Sequence, residues 1–128
     1  GNVLHLHGEL DYARSTLDPK LIYHLNGREI KPGDRCERGS QLRPHIVWFG
    51  EAVPLIEKAA EIVAETDYLL VVGTSLAVYP AAGLVDVVRA GTPVTVVVPG
   101  ELTLRKGVRH LREKAGEGVP KVVAELIG

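Results

Sequence analysis

Methionine is absent from this chain of 128 residues, and cysteine occurs only once. A single cysteine excludes an internal disulfide and any zinc site built from cysteine pairs. No apolar run approaches the ~20 residues of a membrane-spanning helix, and no signal-peptide pattern opens the chain. These absences predict a cytoplasmic protein without a membrane partner, and the missing methionine predicts a sequence that begins inside a longer one.

The chain also has little net charge, since it contains 15 Lys and Arg and 16 Asp and Glu. So nearly neutral a chain lacks the basic surface with which proteins bind nucleic acid. We therefore expect a small molecule or a protein as the partner. The sequence contains no repeat, linker or charge block that would mark a second domain. A chain of this length is expected to form one compact unit that buries roughly two-thirds of its unfolded surface.

Strands and helices alternate in the apolar pattern. Strands or extended segments are predicted at residues 3–6, 45–50, 68–72 and 93–98. Helices are predicted behind Pro54, from Pro80 to Gly91, and behind Pro120, because proline is favoured in the first turn of a helix. This alternation predicts an α/β fold, with a parallel sheet covered by helices on both faces.

Residues 11–43 break the pattern with turn-forming residues. Asn26 and Gly27 lie between residues 21–23 and 29–30, which is the signal of a two-residue hairpin turn. We expect a small insertion containing one hairpin. The sequence from 101 to 118 is mixed and predicts no element.

Three groups of candidate functional residues follow predicted strands: His7, residues 73–75 and residues 99–101. Ligands bind beyond the carboxyl ends of parallel strands, so these groups should gather at one edge. His5 would share a strand face with His7, which makes a metal pair geometrically possible. No acidic or cysteine partner accompanies the two, and no metal site is predicted.

Four segments resemble the sirtuin family in order and spacing: LHLHGEL at 4–10, LRPHIVWFGE at 42–51, GTSLAVYPAA at 73–82, and residues 115–126. The resemblance implies a Rossmann-like sheet with a small module. It implies that residues 1–128 are the C-terminal portion of a sirtuin catalytic domain, with residues 11–43 as a reduced module. The glycine-rich NAD-binding part of the family would be absent.

Sirtuins are NAD-dependent protein-lysine deacylases, and the resemblance assigns the catalytic role to His7. In the family, this histidine acts as general base on a ribose hydroxyl of NAD. An imidazole, with its ordinary pKa near ~6.5, suits such a proton transfer. Without the resemblance, His7 reads as a strand-end histidine satisfied by hydrogen bonds.

The resemblance also implies contacts with NAD at Gly73, Thr74, Ser75 and Ala115. Glycine permits close approach of a ligand to the backbone, and hydroxyls donate hydrogen bonds. An ordinary strand-to-helix turn and a loop alanine are the alternative readings. Residues 97–101 lack the asparagine that the family places after its last strand.

Acyl-lysine substrate contacts are implied at seven positions. Two line the acyl-lysine tunnel of the family, and five match edges that pair with the substrate backbone by strand addition. In that order they are Val47 and Phe49, then Gly50, Glu51, Leu76, Ala77 and Val78. Core packing is the alternative, chiefly for Val47.

The family binds structural zinc through cysteines, yet Ser15 stands at the first cysteine position and Cys36 is alone. The chain therefore resembles a zinc-free branch, in which the hairpin would replace the metal and Cys36 would act as a small hydrophobe.

A catalytically silent fragment, or a peptide-binding module without a complete NAD site, remains the alternative to the enzyme. It is favoured by the absent glycine-rich segment. A sheet without those strands should expose a free edge and apolar surface, which predicts self-association.

Overall fold

The computed structural model describes residues 1–128, which divide into two compact units, residues 1–55 and 56–128. The sequence predicted a single unit. Each unit contains its own three-stranded sheet, antiparallel in the first and parallel in the second. None of the helices has the length and apolar character needed to cross a membrane.

The first unit is built on strand β1 (Gly8–Ser15), which lies between β2 (Ile22–His24) and β3 (Leu42–Ile46). The strand predicted at 3–6 is wrong: residues 1–5 have no regular structure, and a turn at 6–7 precedes β1. No neighbouring strand offers hydrogen bonds to residues 3–6, and a strand needs a partner for its backbone groups. His7 therefore precedes a strand and does not end one.

Strand β1 contains a bulge between Gly8 and Ala13. Gly8 lies opposite Ile46 on β3, whereas Ala13 lies opposite Pro44, so five steps along β1 span two steps along β3. The extra residues bend the strand. Beyond the bulge, Ala13 is fully buried between the two neighbouring strands.

The predicted two-residue turn forms at Asn26 and Gly27, where both φ angles are positive, at 51° and 77°. The Arg28 N–H donates to the Leu25 carbonyl at 3.0 Å and closes the turn. The second strand of the predicted hairpin is wrong, because residues 29–30 are not a strand. β2 pairs with β1 instead.

The second unit confirms the predicted α/β fold with a parallel sheet. In chain order it contains α1 (Ile56–Ala64), β4 (Leu69–Val72), a short 3₁₀ helix (Ala81–Asp86), β5 (Val94–Val97), β6 (Arg109–Leu111) and α2 (Ala115–Ile127). The strand order is β4-β5-β6, all parallel. All four residues of β5 are buried, whereas β4, at a sheet edge, is half-buried and exposes Val72.

Three predictions for the second unit need correction. The helix expected from Pro80 to Gly91 is only the short 3₁₀ helix, and β6 was not predicted. Helix α2 begins at Ala115, five residues before Pro120, so this proline lies inside the helix. Gly118 explains the early start, because it lets α2 approach β5: a Cβ atom there would lie 2.5 Å from Val97 Cγ1.

Candidate functional site

His7 is held by its backbone at the start of β1. The Val47 N–H donates to the His7 carbonyl at 2.9 Å, and the Gly8 N–H donates to the His5 carbonyl at 3.1 Å. The backbone thus fixes the point from which the imidazole projects, and the side chain is exposed to solvent.

Gly8 is required at this place by its surroundings. Its φ of +86° lies in the left-handed region, and a Cβ atom there would collide with the His45 carbonyl oxygen and lie 2.9 Å from Ile46 Cα. Because only glycine fits, β1 and β3 can approach closely beside His7. The His-Gly pair therefore has a structural reason in addition to the chemical role that the resemblance assigns.

His5 does not share a strand face with His7, because neither residue lies in a strand. The His5 Nε2 lies 3.3 Å from the Glu9 carboxylate. No group of three His, Cys, Asp or Glu side chains in the structure is arranged to hold a metal ion.

Residues 48–51 form a tight turn after β3. The Glu51 N–H donates to the Trp48 carbonyl at 3.1 Å, and the Trp48 N–H donates to the Glu51 carboxylate at 3.0 Å. Gly50 has a φ of +83°. Phe49 lies at the tip with 91% of its surface exposed. Core packing therefore does not explain Phe49, whose ring is free to contact a ligand.

The Glu51 carboxylate is fully engaged inside the chain. Arg43 donates to its two oxygens at 2.6 and 3.0 Å, and Arg14 approaches at 3.4 Å. The Arg43 hydrogen bonds, together with the Trp48 N–H, lower the pKa of Glu51 from its ordinary value of 4.5 to about 2. Because the Glu51 N–H also donates to the Trp48 carbonyl, the Gly50 backbone and the Glu51 carbonyl are left for a peptide.

Val47 is half-buried and lines a cavity of about 450 Å³ in the first unit. Its neighbours in the lining include Leu6, Ile22, Ile46 and Leu55. Both readings of Val47 thus remain compatible with its position, since it packs against these neighbours and also faces open space.

In the second unit, Gly73 follows β4 directly. Its N–H donates to the Val97 carbonyl at 3.1 Å, its φ is +67°, and no atom would meet a Cβ there. The Thr74 hydroxyl accepts a hydrogen bond from the Leu76 N–H at 3.1 Å, and the Ser75 side chain is exposed. An open glycine backbone and an exposed hydroxyl fit a dinucleotide that approaches this turn.

Leu76 has a φ of +52°, which is unusual for a residue with a side chain. Such strained backbone is concentrated at functional sites. The next two residues, Ala77 and Val78, are exposed. The Leu76 N–H is satisfied by Thr74, and the Val78 carbonyl accepts the Ala82 N–H at 2.9 Å, so the Leu76 carbonyl, the Ala77 backbone and the Val78 N–H are left to pair with a peptide.

A cavity of about 220 Å³ adjoins this turn and is lined by Ser75 and Leu76 together with residues 102–105. No motif or apolar pattern indicates these four residues, which lie in the mixed stretch before β6. Arg105, the cation among them, donates to the Val85 carbonyl at 2.9 Å.

Ala115 is the exposed first residue of α2 and not a loop alanine. The Glu117 and Gly118 N–H groups are satisfied by the Lys114 carbonyl at 3.0 and 2.9 Å. Val97 joins this helix to the turn after β4, because its carbonyl binds Gly73 and its side chain meets Gly118. Strand β5 thus contacts both the turn that carries Gly73 and the helix that begins at Ala115.

Ser15 and Cys36 are both buried, at 2% and 6% exposure. The Ser15 hydroxyl accepts hydrogen bonds from the Leu17 and Asp18 N–H groups, both at 3.1 Å. Hydrogen bonding by Ser15 lowers the pKa of the Cys36 thiol, against the effect of burial. A serine thus organises the loop at the position where the resemblance places a cysteine.

A parallel sheet with a glycine turn after its first strand and a helix packed closely on its central strand defines an α/β protein of the Rossmann-like class. Residues 1–80 match the family model described as Sir2 family. The chain belongs to the Sir2 family, which confirms the resemblance to sirtuins.

Curated relatives include an NAD-dependent protein deacylase of Bacteroides thetaiotaomicron, 41% identical over 98% of this chain and 57% of its own length. NAD-dependent protein deacylase 1 of Archaeoglobus fulgidus is 37% identical over 98% of this chain and 53% of its own length. The chain thus spans about half the length of the curated relatives it matches.

Solved structures agree with this assignment. A Sir2 homologue in complex with NAD has a TM-score of 0.84 and 35% identity, over 99% of this chain and 52% of that one. A Sir2 protein bound to a propionylated peptide has a TM-score of 0.75 and 27% identity, over 98% of this chain and 56% of that one.

Proposed function

We propose that this chain supplies the catalytic base and peptide-binding surface of an NAD-dependent protein-lysine deacylase. The observation that carries the proposal is the hydrogen bond between the His7 carbonyl and the Val47 N–H, two residues before the exposed ring of Phe49. An accessible imidazole and an apolar platform therefore share one small part of the first unit. The names of the relatives support the same reaction.

His7 acts in this proposal as the general base. NAD, when bound, would supply the ADP-ribose group that accepts the acyl group from lysine, with nicotinamide as its leaving group. The neutral His7 imidazole has one acceptor nitrogen, which takes the proton of a ribose hydroxyl. The hydrogen bonds of Val47 with His7 and of Gly8 with His5 hold the main chain from which this imidazole projects.

The substrate of the proposal is an acyl-lysine protein or peptide. Val47 and Phe49 would contact the acyl-lysine side chain, while Gly50, Glu51 and residues 76–78 would pair with the peptide backbone.

The cofactor contacts of the proposal are with NAD, at Gly73, Thr74, Ser75 and Ala115. The open backbone at Gly73 and the exposed positions of Ser75 and Ala115 support this assignment.

Mass spectrometry of an acetyl-lysine peptide incubated with the purified chain, with and without NAD, tests the proposal. We expect NAD-dependent loss of the acetyl group that His7→Ala abolishes. His5→Ala is the matched control, because this exposed histidine lies two residues away and pairs only with Glu9. It should retain turnover.

A chimera extends the test, because the chain spans about half of its relatives. In it, the chain is fused to the part of the Bacteroides thetaiotaomicron relative that lies outside the match. Turnover by the chimera that His7→Ala abolishes supports the base. Equal turnover by the chimera and its His7→Ala variant would contradict the role of His7.

A peptide-binding module is the second candidate. The observation that favours it is that the chain spans about half the length of the relatives it matches and lacks the glycine-rich segment that the resemblance implies for NAD binding. Binding of acetyl-lysine peptide by the folded chimera without NAD-dependent turnover would favour this candidate over the enzyme.

Cytoplasmic localisation, self-association through exposed apolar surface, and the lack of nucleic-acid and membrane partners stay predictions. The exposed side chains of Val123, Leu126 and Ile127 on α2 support self-association. Light scattering after size exclusion, over a range of chain concentrations, measures it directly.

A further inference from the structure

We propose that Arg43 is a positioning residue that fixes the turn at residues 48–51, so that Phe49 is presented to the acyl-lysine peptide. The inference deepens the proposed function and rests on it. Arg43 acts together with Arg14, Trp48 and Glu51, and these four residues are called the Arg43 clamp below.

The contact between Arg43 and Glu51 is bidentate. The two terminal nitrogens of the guanidinium lie 2.6 and 3.0 Å from the two carboxylate oxygens, and one of them also donates to the Ile46 carbonyl at 3.3 Å. The Arg43 side chain is only 18% exposed. A planar fork of this kind fixes direction as well as distance, which a lysine cannot do.

Arg43 also stacks on Trp48. The guanidinium carbon lies 4.0 Å from the centroid of the indole ring, within the range of a cation–π contact. One side chain thus binds both ends of the turn, the ring of Trp48 at its start and the carboxylate of Glu51 at its end. The Glu51 carboxylate in turn accepts the Trp48 N–H at 3.0 Å, which closes the arrangement.

Arg14 connects the turn to β1. It lies opposite Arg43 in the register of β1 and β3, and its guanidinium approaches the Glu51 carboxylate at 3.4 Å. The strand that begins next to His7 and the turn that carries Phe49 are therefore tied to one carboxylate. This link relates the proposed base to the proposed substrate platform.

Phe49 itself has little to hold it, since 91% of its surface is exposed. Its direction is set by the backbone of the turn and not by packing of the ring. Ordering that backbone before a ligand arrives lowers the entropic cost of binding. The Arg43 clamp is the part of the structure that supplies this order.

Trp48 is the single tryptophan of the chain, so its fluorescence reports on the turn alone. The test compares Arg43→Met, which removes the charge and the fork, with Arg43→Lys, which keeps the charge. Arg38→Met is the matched control, because Arg38 is an exposed arginine of the same unit that pairs with Asp18 at 3.1 Å. Circular dichroism establishes that each variant is folded.

We expect Arg43→Met to increase acrylamide quenching of Trp48 and to raise KM for an acetyl-lysine peptide roughly tenfold in the chimera, with kcat changed much less. Arg43→Lys should recover part of the quenching protection, and Arg38→Met should match the unaltered protein. If Arg43→Met does not fold, Glu51→Gln is used instead, because it removes the carboxylate that Arg43 binds, and its result is interpreted in the same way.

The two possible failures appear in different signals. Unchanged Trp48 quenching and unchanged KM in a folded Arg43→Met variant would overturn the Arg43 clamp. Absence of both peptide binding and turnover in the unaltered chimera would overturn the proposed function, whatever Trp48 reports. If Arg43→Met lowered kcat and kcat/KM by the same factor, substrate positioning would be overturned as the role of Arg43.

Discussion

The His45 carbonyl oxygen occupies the space in which a side chain at Gly8 would begin. Gly8→Ala should therefore lower the free energy of unfolding by more than about 3 kcal/mol, because it adds a backbone collision to the cost of a positive φ. Urea unfolding followed by Trp48 fluorescence measures the change in the first unit.

Gly27→Ala is the control for Gly8→Ala. Gly27 has a φ of +77°, but no atom would meet its Cβ. Its cost should be only the ~1–2 kcal/mol of a left-handed residue. Equal losses for the two variants would mean that the approach of β1 to β3 does not require glycine.

Gly118→Ala should destabilise the second unit even though alanine favours helices. The added Cβ would lie 2.5 Å from Val97 Cγ1 and 3.2 Å from Leu111 Cδ2. Overpacking of this kind costs about 1–3 kcal/mol. Thermal unfolding followed by far-UV circular dichroism measures the loss.

Gly116→Ala supplies the comparison within the same helix. Its Cβ would meet nothing, so the variant should gain up to ~1 kcal/mol from helix propensity. A stabilised Gly118→Ala protein would contradict close packing of α2 on β5.

The buried Thr95 hydroxyl depends on Tyr68. The two side-chain oxygens lie 2.5 Å apart, and Thr95 is 2% exposed. Tyr68→Phe should cost about 1–3 kcal/mol, because it leaves the hydroxyl of Thr95 without a partner. Adding Thr95→Val should recover much of that loss in chemical unfolding. Strict additivity of the two substitutions would exclude the hydrogen bond as the cause.

Acid should loosen the turn at residues 48–51 only at very low pH. The folded-state pKa of Glu51 is about 2, below its ordinary value of 4.5. The stabilisation by Glu51 is therefore complete above pH 4.5 and is lost as the pH falls from there through about 2. Because the carboxylate of the folded protein stays ionised until its own pKa is reached, acrylamide quenching of Trp48 should rise as the pH approaches about 2.

Glu51→Gln is the control for the acid titration. It removes the titrating group, so its Trp48 quenching should be raised at neutral pH and should no longer change below pH 4.5. An acid transition of equal size in this variant would assign the titration to another group.

Strands β4 and β5 of the parallel sheet could be predicted from the sequence, because they lie within mostly apolar, β-branched runs. Strand β1 could not. Its sequence GELDYARS buries only Ala13 and Ser15, and two small side chains give no apolar alternation. It forms because two distant segments supply its hydrogen bonds, which no local pattern encodes.

Helix α2 was predicted too short for a related reason. Gly116, Gly118 and Pro120 all disfavour a helix locally. The contact of Gly118 with Val97 overrides that preference, and it depends on a strand whose last residue lies 21 positions earlier in the chain.

Part of the candidate site could be predicted from the sequence. The resemblance indicated His7 and Phe49, whose side chains are indeed exposed. Arg43 and Glu51 lie eight residues apart on either side of a turn, and their opposite charges were a signal that could have suggested an ion pair. Arg14 could not be added without the register of β1 and β3.

The bulge in β1 separates two registers with β3. Gly8 pairs with Ile46 on one side of it, and residues 13–15 pair with residues 42–44 on the other. The residues between them are not needed to set either register. Asp11 and Tyr12 pair with β2 and its turn, so a residue inserted or deleted at 9–10 should leave His7 opposite Val47, and this short stretch can vary in length while the geometry around His7 is retained.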